Sequence, residues 1–138
     1  MNTWKEGLQQ INTYREENNL KPLQQDQDLC RAAEKRLGEI KNNFSHEGFG
    51  IELCDKCSHL GENLARNIKE ERVVSAWIES PSHKEIIVSP VYNIGCVVYD
   101  DGYSVFEAGA GSVGTADRGF FMTPIIIAMI FLKVVRYL

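Results

Sequence analysis

A surplus of positive charge is the first thing this chain lacks. Its 138 residues carry 19 acidic and 15 basic side chains, a formal net charge of −4. The stretch before residue 119 is more acidic still, because Lys133 and Arg136 lie beyond it with no acid beside them. A body of that sign repels a phosphate backbone, which excludes nucleic acid as a partner. Cysteine is sparse: Cys30, Cys54, Cys57 and Cys96 are the only four, too few for a scaffold that relies on disulfides in place of a core. No Gly-x-Ser-x-Gly elbow and no His-Glu-x-x-His helix occurs, so two familiar hydrolase patterns are missing. Internal repeats are absent, and the first residues show no basic stretch followed by an apolar run, the mark of a secretory signal peptide.

What is present is a chain 43% hydrophobic and 25% charged, enough for one folded domain. Thr3-Trp4-Lys5-Glu6 has the form of a capping box and predicts a helix from there, with Trp4, Leu8, Ile11 and Tyr14 on one face. Asn18-Asn19 and Lys21-Pro22 close it. A second helix follows Asp26, with Leu29, Ala33, Leu37 and Ile40 at helical spacing and Arg31, Lys35 and Arg36 expected to point outward. Residues 42–61 have no sustained period and read as a long loop, a place where function concentrates. Val73, Val74, Ala76 and Trp77 predict a third helix. Ser80-Pro81 marks a kink or a new start, and Ser82-x-x-Glu85 a second capping box. Two strands, Val91 to Tyr99 and Tyr103 to Phe106, meet at the hairpin signal Asp100-Asp101-Gly102. The class is α+β, helices around a small antiparallel sheet.

Residues 1–110 form the domain on this reading, 111–118 a small-residue linker, and 119–138 a C-terminal hydrophobic helix. Phe120 to Leu132 carries no charge. As a helix it reaches about 20 Å, and about 30 Å, a bilayer's thickness, if it runs on to Leu138 with Lys133 and Arg136 at the headgroups. A helix apolar on every face needs protein or lipid around it, so residues 119–138 are expected to anchor the chain in a membrane. The two distal bases place the domain on the extracellular side, although no signal peptide accounts for its export.

All three histidines (His46, His59 and His83) fall between Phe44 and Val91, each near an acid. Imidazole with carboxylate suits a borderline cation or a polarised water. Beside them stand Gly61-Glu62-Asn63 and Trp77-Ile78-Glu79-Ser80-Pro81. Ser45 and Ser82 precede His46 and His83 directly, but sequence neighbours rarely face each other as nucleophile and base. Cys54-Asp55-Lys56-Cys57-Ser58-His59 is a C-x-x-C followed by a histidine, open to three readings: a zinc staple, a disulfide-clamped loop or two free thiols. Cys30 and Cys96 sit among apolar residues and read as small buried hydrophobes.

The series Ile11-Asn12-x-Tyr14-Arg15-x-x-Asn18-x-Leu20-x-Pro22-Leu23, Ser45-His46-x-Gly48, Gly61-Glu62-Asn63-Leu64-Ala65, Trp77-x-x-Ser80-Pro81-x-His83 and Tyr92-x-Ile94-Gly95 resembles the CAP superfamily. These are the domains of cysteine-rich secretory, antigen 5 and pathogenesis-related proteins, here of the short bacterial type, and the likeness covers roughly residues 4–109. It implies an α-β-α sandwich around a cavity whose two histidines and two acids hold a divalent metal, zinc or magnesium. His46, Glu62 and His83 match the first histidine, the Gly-Glu-Asn acid and the Ser-Pro-x-His histidine. Glu79 is the candidate fourth ligand. It stands two residues after Trp77, where full tetrads place the acid three after and this chain has Ser80; one helical step turns a side chain by about 100°. The resemblance implies a binding module for a lipid, an envelope component or a protein. The alternative is a metal-dependent hydrolase on His46, Glu62 and His83.

Overall fold

Asp26 starts the helix on which the site is built: its carboxylate accepts from the backbone N–H groups of Asp28 and Leu29, which satisfies two donors that a helix start leaves open. The computed structural model describes residues 3–112 and 133–137. Helix α1 is Lys5–Glu17, strand β1 Gln24–Gln25, helix α2 Gln27–Asn42 and strand β2 Cys57–Arg66. Helices α3 (Glu70–Glu79) and α4 (Pro81–Ile87) follow, then strands β3 (Ile94–Asp100), β4 (Tyr103–Gly111) and β5 (Lys133–Tyr137). A single turn of 3-10 helix, Ile51–Leu53, lies in the loop before β2.

Neither capping box forms. Trp4 precedes α1 without a side-chain cap, because the chain there is drawn to the sheet: Thr3 bridges Val98, and the Trp4 N–H donates to the Val97 carbonyl at 2.8 Å. At the second site Pro81 opens α4 as a new helix, where its fixed φ and missing N–H cost nothing, and Ser80 rather than Ser82 precedes it. The hairpin forms as the sequence predicts, with Asp101 and Gly102 at φ 52° and 84° between β3 and β4, the two left-handed residues that a tight hairpin of matching twist requires.

The sheet has five strands in the order β1-β3-β4-β2-β5, with β3-β4-β2 antiparallel and β1 and β5 added parallel at the edges. The loop expected over 42–61 is shorter than that, since β2 begins at Cys57. This strand escapes pattern reading because both of its faces are buried while its sequence is Gly, Glu and Asn in the middle. One apolar layer joins Leu8, Ile11, Trp77, Ile86 and Phe106 between the sheet and α1, α3 and α4. The other joins Leu29, Leu37, Leu60, Leu64 and Val105 between the sheet and α2. The result is an α-β-α sandwich.

Two arginines are sealed within it. Arg15 donates to the carbonyls of Lys21, Ile87, Ser89 and Tyr92, clasping the end of α1 to the segment after α4. Its pKa is lowered by burial. Arg36, expected outward, is 1% exposed; it lies on the Leu29–Ala33–Ile40 face of α2 and is drawn inward by an acid on β2.

All four cysteines are bonded. Cys30 of α2 joins Cys96 of β3, and Cys54 joins Cys57. The first pair is buried as expected, yet the reading as two unlinked hydrophobes is corrected: α2 lies across β3 with the two Cα atoms 5.2 Å apart. The second pair takes the disulfide reading of the C-x-x-C and withdraws its thiolates from any zinc staple.

The uncharged stretch Phe120–Leu132 lies outside the described residues, and so does the hydrophobic helix expected there. Lys133–Tyr137, which that helix needed to reach bilayer length, is instead a strand paired with β2 from His59 to Asn63. Among the described residues no helix is long and apolar enough to cross a membrane.

Candidate functional site

β2 alternates its side chains between the two layers. Leu60, Glu62 and Leu64 face α2, whereas Gly61, Asn63 and Ala65 face α3 and α4. Gly61 is required on its side because a Cβ there would come within 2.6 Å of the Tyr92 hydroxyl. This parity decides what Glu62 can meet.

Glu62 has no solvent exposure and is held from three directions. Arg36 donates from Nε to Oε1 at 2.8 Å and from its terminal nitrogen to Oε2 at 3.0 Å, a bidentate fork. His46, on the loop after α2, places Nδ1 2.7 Å from Oε2, with its ring edge-on to Phe49. Glu107 of β4 stands directly opposite in the antiparallel register, also without exposure. Arg36 further donates to Glu39 at 2.6 Å and to the Ser45 carbonyl at 2.7 Å, so one guanidinium ties α2, β2 and the His46 loop together. A cavity of about 360 Å³, lined by Arg36, Glu39, Asn42, Asn43, Ser45 and Glu47 among others, opens beside it.

The charges follow from this geometry. Burial pushes the Glu107 carboxyl well above its ordinary value, and the negative charge of Glu62 adds to the effect. Of the two carboxyls Glu107 is therefore the one whose neutral form is favoured. Burial alone would raise Glu62 too, but hydrogen bonds from Glu107, His46 and Arg36 outweigh it and hold that carboxyl at about 2. Burial would lower Arg36; its bonds to Glu62 and Glu39 outweigh that and raise it. The pair Arg36⁺–Glu62⁻ is neutral as a whole. With Nδ1 committed to Glu62, the Nε2 of His46 is buried and meets no protein partner among the described residues.

His46 and Glu62 are thus brought together as the sequence predicts. His83 stands on another element. It lies on α4, its Nδ1 2.8 Å from Ser80 Oγ, and its carbonyl accepts from Asn63 on the other face of β2. Glu79 ends α3 in the same layer and is exposed. β2 thus directs Glu62 toward α2 and Asn63 toward α4, the helix that carries His83. Among the described residues no group of three or more His, Cys, Asp or Glu side chains is placed to hold a metal ion. The residues at Glu62 do not fit a divalent cation: both oxygens are already engaged, and the guanidinium of Arg36 supplies the positive charge there.

Two members of this centre, Arg36 and Glu107, escaped the sequence reading, though each left a signal. Arg36 follows Leu29 by seven residues and Ala33 by three, on the apolar face of its helix. Glu107 is a lone charge inside the strand Val105-Phe106-Glu107-Ala108, where burial demands a partner.

Comparison with known proteins gives the following. The family model described as CAP, the cysteine-rich secretory protein family, matches residues 8–115. The protein YkwD of Bacillus subtilis (strain 168) is 30% identical over 117 residues, 74% of this chain and 44% of that protein. Among solved structures, a cysteine-rich secretory protein from Staphylococcus aureus aligns at a TM-score of 0.69 and 17% identity, over 76% of this chain and 37% of the other. An outer surface protein from Borrelia burgdorferi aligns at 0.66 and 26% identity, over 78% and 92%. The chain spans less than half of the Bacillus protein's length, and the Staphylococcus likeness concerns the fold.

Proposed function

Because the chain belongs to the cysteine-rich secretory protein (CAP) family, we propose that it is a CAP binding module of the extracytoplasmic side, recognising a lipid, an envelope component or a protein, and not a metal-dependent hydrolase. One observation carries the choice. Among the described residues no group of three or more His, Cys, Asp or Glu side chains is placed to hold a metal ion, and metal-assisted hydrolysis would need such a group around one water. The guanidinium on Glu62 argues the same way, since a divalent cation would have to displace Arg36 from a bidentate, buried bond. The centre then serves to set the shape of the His46 loop and of the cavity beside Arg36.

The disulfides support the extracytoplasmic side. Cys30–Cys96 and Cys54–Cys57 leave no free thiol, a state that persists in oxidising surroundings and is rare in the cytosol. The names of the Staphylococcus and Borrelia proteins, secretory and outer surface, agree with that side.

The test uses the purified full chain with zinc, then magnesium, in titration calorimetry and in ester and peptide hydrolysis assays. No stoichiometric metal uptake and no turnover above buffer are expected. Metal-dependent turnover that disappears in both His46→Ala and His83→Ala, with the fold intact by circular dichroism, would overturn the reading.

A further inference from the structure

The outer edge of β2 is where the chain adds something to its family's domain. The family match ends at residue 115, and β5 lies beyond it, yet Lys133–Tyr137 pairs in parallel along His59–Asn63, the stretch that holds the Gly-Glu-Asn motif. Without β5 that edge would offer a row of unpaired N–H and C=O groups, a template for another strand. Beside it lies a cavity of about 160 Å³ lined by His59, Ile86, Val91, Tyr92 and Val135 among others. Val135 packs there against the core layer beneath α4. Ladder hydrogen bonds with one side chain lodged in a fitted pocket are the two elements by which sheet-edge sites recognise extended peptides.

We propose that the β2 edge is a docking surface for an extended peptide strand, and that Lys133–Tyr137 is its occupant in cis. The partner it fits is a short segment that pairs in parallel, carries a β-branched apolar residue at the place of Val135, and is basic. Charge supports the last point, because Lys133 and Arg136 flank Val134-Val135 while the residues before 119 carry the whole acidic excess. A segment of that kind in solution competes with the tethered strand, whose high local concentration favours the closed form. The inference deepens the binding-module reading by naming a class of partner, and its test is independent of metal and turnover.

The test is made on the full chain carrying Val135→Pro, which removes a ladder donor and the pocket-filling side chain from β5. Backbone amides of residues 59–63 are expected to exchange with deuterium at least about tenfold faster than in the unaltered chain while the amides of β3 and β4 keep their protection. A fluorescent peptide with the sequence of residues 133–137 is expected to bind the variant at least about tenfold more tightly than the unaltered chain. Equal binding to both chains, or unchanged exchange at 59–63 in the variant, overturns the proposal. If Val135→Pro does not fold, Val135→Asp, which places a charge in the same apolar pocket, carries the same expectations.

Discussion

Glu62 and Glu107 face each other across the β2–β4 ladder, both sealed from solvent, with the single guanidinium of Arg36 as their shared counter-charge. Two buried carboxylates facing one cation disfavour each other's ionisation. Arg36 takes Glu62 by its bidentate fork, while burial and the charge of Glu62 raise Glu107.

That division sets a pH dependence. Glu107 binds its proton more tightly when folded than at the ordinary value of 4.5. Its contribution is therefore full below about pH 4.5 and is lost as pH rises toward the folded-state value. Glu62, held at about 2, works the other way: its contribution is present above about pH 4.5 and is lost between about pH 4.5 and about pH 2. Glu107→Gln keeps the size of the side chain and cannot ionise. Melting temperatures at about pH 5 and about pH 9 are expected to fall less between the two for this variant than for the unaltered chain. An equal fall would show that Glu107 is already charged.

Removing the cation leaves a buried charge without its partner. Arg36→Met is expected to lower stability by about 3–5 kcal/mol, read from urea unfolding. Adding Glu62→Gln is expected to restore part of that loss, because the uncompensated charge goes with it. Additive losses in the double variant would deny the coupling.

His46 lies on the loop after α2 and His83 on α4, and on the proposed reading, in which they share no metal, their substitutions are expected to act independently. His46→Ala and His83→Ala together are predicted to cost the sum of the single effects within about 0.5 kcal/mol. Coupling of 1 kcal/mol or more, on the order expected for contacting residues, would place them in one site after all.

The two disulfides close loops of unlike size, with sequence separations of 66 and 3. Chain entropy then predicts a loss of about 4 kcal/mol for the paired substitution Cys30→Ala with Cys96→Ala, and of about 2 kcal/mol for Cys54→Ala with Cys57→Ala. Urea unfolding of the two double variants gives the order, and a reversed order would reject the loop-entropy account for this protein.

The sequence by itself determined the elements that local chemistry dictates. Asp26 opens α2, Pro81 opens α4, and Asp101-Gly102 turns the hairpin, each through bonds or dihedrals within a few residues. Five spaced motifs were enough to place the chain in its family and to pair His46 with Glu62. Only the tertiary structure decided which layer each side chain enters. Strand parity puts Glu62 and Asn63 on opposite faces, but nothing local says that α2 covers one face and α4 the other. The same long-range packing turned Arg36 inward, set Glu107 against Glu62, and brought Cys30 to Cys96, since burial and partner choice depend on contacts between segments tens of residues apart.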